Sequence, residues 1–151
     1  MKKPAIKNSI MEIIAALLIL LFAYAAITKL LTYAAFKEQL IYSPVGTRFA
    51  GLLAWLVPAT EIVIAVTLII PAYRKTGFYL SFLLMLAFTL YVYYVLNFVY
   101  EVPCACGGVL SRMSWHEHLI FNLIYTMIAL AGILLSQKYS YAQRTGQAEN
   151  L

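Results

Sequence analysis

Cys104-Ala105-Cys106-Gly107-Gly108 holds both cysteines of the 151-residue chain, one residue apart. Two thiols at that spacing close only a small, tense ring, because a relaxed bridge needs a particular Cα separation and S–S dihedral. Pro103 and Gly107-Gly108 supply the bend that such a step requires. Strained or exposed disulfides are the exchange-active ones, so the expected chemistry is thiolate attack on a disulfide, a mixed disulfide, and resolution by the neighbouring cysteine. Two other readings stay open. A staple across one residue is one, although it closes almost no loop and so restricts the unfolded chain little. Metal is the other: His116 and His118 complete a two-sulfur, two-nitrogen set with Cys104 and Cys106 that suits zinc or copper. Both pairs have one-residue spacing, shorter than the roughly two to four residues between cysteines and three to five between histidines in zinc knuckles.

Glu61 is the second residue with chemical potential. It follows Pro58-Ala59-Thr60 near the centre of an apolar run. A charged side chain there costs about 2.5 to 3.5 kcal/mol on insertion scales, so it is expected to face other helices and find a partner. Thr28, Lys29, Asn97 and Asn122 are the candidates. Two roles are open for Glu61: proton handling or contact with a quinone head group beside a redox centre, and a plain interhelical hydrogen bond made by the protonated acid. His116, His118 and Asn122 share the first candidacy, since a nearby cationic imidazole also favours the thiolate of a cysteine. Lys29 reads as a snorkelling residue at the end of its helix. Tyr91, Tyr93, Tyr94 and Tyr100 read as an interfacial aromatic belt.

The elements that must position these groups are membrane helices. With 64% hydrophobic and 11% charged residues, the chain has more apolar surface than one soluble core of this size can bury. Four segments reach the roughly 20 residues that a hydrocarbon core needs: about 10–28, 49–70, 77–98 and 118–136. Their runs are continuous rather than alternating, which excludes barrel strands. The fold class is therefore all-α: a polytopic membrane protein with a four-transmembrane-helix bundle over residues 1–137, a cysteine loop at 99–117 and a polar tail at 138–151. Lys2, Lys3 and Lys7 before the first segment resemble a signal-peptide start, but the apolar run exceeds the usual core of about 7 to 15 residues, so the segment is expected to stay as a helix. Between the first two segments, Leu30, Leu31, Ala34, Ala35 and Leu40 recur at near-helical spacing, and this stretch is expected to continue helix one as an outer cap until Ser43-Pro44-Val45-Gly46 breaks it.

Basic residues orient such a bundle. With the N-terminus inside, the inner set is Lys2, Lys3, Lys7, Arg74, Lys75, Lys138 and Arg144, against Lys29, Lys37, Arg48 and Arg112 outside. Both termini are then cytoplasmic and the cysteine loop faces the oxidising side of the membrane. The net charge of +5 is accounted for by these flanks and calls for no nucleic-acid partner.

Cys-x-Cys-Gly-Gly after the third segment, then Ser114-Trp115, His118-Leu119 and Asn122 opening the fourth, resemble the MauE/DoxX-like redox-associated membrane proteins, particularly short MauE-type members. Pro58-Ala59-Thr60-Glu61 and Arg74-Lys75-Thr76-Gly77 add to the likeness, which covers roughly residues 8 to 136. The family commonly has Phe where this chain has Gly107. The resemblance implies disulfide metabolism in a bacterial inner membrane, with a thioredoxin-like periplasmic partner. The architecture is also similar to the DsbB and vitamin-K-epoxide-reductase group, which implies a quinone as a candidate cofactor. Those proteins carry a second cysteine pair, and this chain has none. The expected function is a membrane thiol–disulfide oxidoreductase or electron-transfer adaptor acting through Cys104 and Cys106. The alternatives are a non-catalytic subunit of a larger membrane complex and a Cys/His metal-binding membrane protein.

Overall fold

The structure, a computed structural model, describes residues 3–43, 48–98 and 114–148. Among these residues there are helices and no strands: α1 (Lys3–Leu31), α2 (Tyr33–Ile41), α3 (Ala50–Ile69), α4 (Arg74–Phe98) and α5 (Trp115–Ala148). A single 3-10 turn, Pro71–Tyr73, joins α3 to α4. Four helices are long and apolar enough to cross a bilayer, over Ser9–Leu31, Ala50–Ile69, Pro71–Phe98 and Trp115–Lys138. The protein is a multi-pass membrane protein with an all-α bundle.

The helices pack in a ring, α1 against α3, α3 against α4, α4 against α5, and α5 back onto α1. One end of the bundle carries the termini and the α3–α4 turn. There Ile70 takes the extended conformation (φ −82°, ψ 114°) that a following proline favours, and this stops α3. Arg74 holds the turn by donating from Nε to the Leu68 carbonyl (3.1 Å) and pairing with Glu12 near the start of α1. The core of this half joins Ala15, Leu18, Phe22, Ile64, Leu68, Phe78, Ala129 and Ile133. Two glycines permit its tight packing. A Cβ on Gly132 would lie 2.6 Å from Phe78 Cδ1, and one on Gly77 would lie 2.8 Å from Leu68 Cδ2. Close helix approach through small residues is how bundles gain contact in lipid, where water drives nothing together. Leu20, Leu52, Leu83 and Leu134 face outward to the bilayer.

Three expectations need correction. The stretch after the first span does not simply prolong it: Thr32 (φ −107°, ψ 35°) interrupts the helix and α2 begins at Tyr33. Thr28 and Thr32 turn their hydroxyls back onto carbonyls one turn earlier, Tyr24 and Thr28 (2.9 and 2.8 Å), and such back-bonding bends helices. The last helix starts at Trp115 rather than 118 because Ser114 and Glu117 form a reciprocal capping box: Ser114 N donates to Glu117 Oε2 (2.7 Å), and Glu117 N donates to Ser114 Oγ (3.3 Å). The polar stretch from 138 is not a tail apart from the last helix, since α5 runs to Ala148. Gln, Lys, Arg and Ala are good helix formers, and extending a helix already nucleated in the membrane adds hydrogen bonds without a new nucleus.

Candidate functional site

The other half of the bundle is hollow. A cavity of about 280 Å³ opens between the end of α1, α2, α3, the second half of α4 and the start of α5. Its polar centre is an ion pair, Lys29 Nζ donating to Glu61 Oε1 at 2.7 Å across α1 and α3. Glu61 is 1% exposed. Two aromatic faces flank the ammonium, with Nζ 5.8 Å from the Phe36 ring centroid and 5.9 Å from that of Phe88, within the range of cation–π attraction. The Ala25 carbonyl is a further, longer acceptor at 3.5 Å. Lys29 therefore bends inward rather than snorkelling. Taking a carboxylate and an ammonium out of water is costly, and the short contact together with the rings offsets that cost.

The capping box sets the opposite wall. By starting α5 at Trp115 it places Trp115 and His118, three residues apart, on one face, with ring centroids 6.3 Å apart. Both line the cavity, as does Asn122 one turn further on. Of the residues singled out in the sequence, Glu61, His118 and Asn122 thus meet at one cavity. His116 does not join them: it is exposed, and residues two apart on a helix point about 200° from each other. Among the described residues no group of three or more His, Cys, Asp and Glu comes together. Cys104 and Cys106, and with them the thiol and metal readings, lie outside the described residues.

One contribution was missed from the sequence: α2, read as an outer cap, supplies Phe36, Gln39 and Leu40 to the cavity wall, and the signal for this was its apolar spacing. Lys29 was among the expected partners of Glu61, and the pair corrects its reading as a snorkelling residue. Tyr91 also differs from the belt assignment because it lines the cavity, whereas Tyr93 and Tyr94 stay exposed.

Glu61 Oε2 and Asn122 Nδ2, both buried on residues of the wall, have no hydrogen-bond partner among the described residues. Thr89 and Thr126 are mutually bonded (3.1 Å), and the Thr126 hydroxyl also donates to the Asn122 carbonyl (2.7 Å), which fixes α5 against α4 just below this wall.

Comparison with known proteins gives one match. A family model described as "Methylamine utilisation protein MauE" covers residues 7–135, nearly the whole bundle. No curated protein and no solved structure matches the chain.

Proposed function

The chain belongs to the MauE family of methylamine utilisation proteins, and we propose that it is a membrane thiol–disulfide oxidoreductase or electron-transfer adaptor acting through Cys104 and Cys106. One cysteine thiolate attacks a disulfide of an extracytoplasmic thioredoxin-like partner, forming a mixed disulfide and releasing one partner thiolate. The second cysteine then attacks its neighbour's sulfur, which releases the partner's other thiolate and joins Cys104 to Cys106. Two electrons pass to the partner, and the same steps in reverse return them. The protein sits in a bacterial inner membrane with both termini cytoplasmic, following its lysine and arginine distribution.

The observation that carries this reading is one of connectivity. Both cysteines lie in sequence between Phe98 and Ser114, and the flanking helix ends reach the cavity through Tyr91, Val92 and Trp115. The helix ends that flank the cysteine segment thus stand at the same end of the bundle as the buried charged pair. A quinone, when bound, supplies an acceptor for the two electrons and two protons given up by a dithiol. Asn122 Nδ2 suits a quinone carbonyl, and His118 lies on the same wall.

Trapping in cells tests the exchange. Cys104 and Cys106 are replaced by alanine one at a time, thiols are quenched with acid, and non-reducing gels are searched for an adduct. A discrete species that vanishes with reductant and in the double variant is expected. If neither single variant gives one and both support normal folding of periplasmic disulfide proteins, the chain is a structural subunit instead.

A further inference from the structure

Glu61 and Asn122, only 1% and 4% exposed, both line the cavity, and their buried atoms Oε2 and Nδ2 have no hydrogen-bond partner among the described residues. A polar atom buried in a membrane protein without a hydrogen bond is unfavourable, so two in one cavity point to a group that answers them. Their characters differ. Glu61, paired with Lys29, offers a carboxylate oxygen that accepts, while the amide nitrogen of Asn122 donates.

This pairing discriminates among ligand groups. A ketone or quinone carbonyl satisfies Asn122 but turns its lone pairs toward the carboxylate. An ammonium satisfies Glu61 but enters beside Lys29 and leaves Asn122 unanswered. A hydroxyl both donates and accepts. Around the polar pair the wall is aromatic, with Phe36, Phe88, Phe121 and Trp115. The volume, about 280 Å³, has room for a substituted ring, since an apolar cavity of about 150 Å³ already admits benzene.

We infer that this cavity is a binding site for a membrane-dissolved aromatic alcohol, a phenol or hydroquinone head on an apolar tail. Its hydroxyl donates to Glu61 Oε2, and the same oxygen or a second one across the ring accepts from Asn122 Nδ2. The site stands without the cysteines. It also sharpens the quinone assignment: the reduced hydroquinone fits the two atoms and the oxidised quinone fits one.

Trp115 is the reporter. In full-length protein carrying Trp55→Phe, reconstituted in nanodiscs, it is the sole tryptophan. Its emission is titrated with a long-chain 4-alkylphenol, the methyl ether of that phenol, and the alkanol of equal chain length. Saturable binding of the phenol is expected. Binding of the ether should be about 10- to 100-fold weaker, the range for losing a hydrogen bond to a charged acceptor. The alkanol should bind at least about tenfold more weakly, having no ring to stack. Asn122→Leu should weaken the phenol about three- to tenfold, and Lys29→Leu/Glu61→Leu, which removes the acceptor without orphaning a charge, should abolish saturation. The Cys104→Ser/Cys106→Ser protein should bind as before, and this separates the site from the exchange reading. Equal binding of phenol and ether, or an unchanged Asn122→Leu titration, overturns the inference. Equal binding of the alkanol overturns the aromatic class in favour of a hydroxylated lipid, and loss of binding in the cysteine-free protein overturns the independence of the site.

Discussion

In the half of the bundle that holds the termini, Phe78 lies against the bare backbone of Gly132 and Leu68 against that of Gly77. In the other half, Phe36, Phe88 and Trp115 stand around a cavity, and an ion pair occupies the place of apolar contacts. Both halves come from the same apolar helices. What separates them is the size and polarity of the few side chains that point inward: glycine and alanine where helices close up, lysine, glutamate and asparagine where they stay apart. Packing alone can account for the first half. The second keeps polar atoms that packing does not use, which is the pattern of a binding site.

The largest expected effect breaks the hollow half. Glu61→Leu leaves the Lys29 ammonium without its carboxylate and should destabilise the protein by about 3 to 5 kcal/mol, measured by chemical unfolding in micelles. Adding Lys29→Leu should restore most of that loss, because replacing a whole buried pair with apolar groups is often neutral. If the double variant stays as unstable as the single, the pair is structural and the contrast between the halves disappears. Next is Gly132→Ala. Its methyl meets the Phe78 ring, so a loss of about 1 to 3 kcal/mol is expected by the same assay. Ser114→Ala should cost about 1 kcal/mol, and hydrogen exchange should place the loss in the first turn of α5. The smallest effect belongs to Asn122→Leu. Its Nδ2 has no partner among the described residues, so stability should hold within about 0.5 kcal/mol or rise slightly. A large loss there would mean that the amide is part of the packing.

The number of membrane spans and the fold class were legible because a 20-residue apolar run has few alternatives in lipid. Ends were less so. Ser114 and Glu117 form a capping signal, yet Trp115-His116-Glu117-His118 also reads as a ligand cluster, and only backbone geometry decides between them. Glu61 was legible as a buried acid in need of a partner, and Lys29 stood among the candidates. The choice of Lys29 was not, because a lysine at a helix end can turn toward headgroups or toward the bundle, and the sequence carries no record of which rings await it. The convergence of His118 and Asn122 with Glu61 was legible as kinship of residue type alone, since their meeting depends on how α5 is rotated.

The break at Thr32 leaves α2 as a nine-residue helix. That is below the roughly 12 to 15 residues at which a helix holds by itself in water, so its order is borrowed from the surface it rests on. Because α2 contributes Phe36 to the cavity wall, whatever occupies the cavity and the folding of α2 are thermodynamically linked. Filling the hollow steadies the helix, and the helix completes the hollow. The amide protons of Tyr33–Ile41 therefore form a built-in gauge of occupancy, slowing their exchange as the cavity fills while those around Phe78 and Gly132 keep their pace.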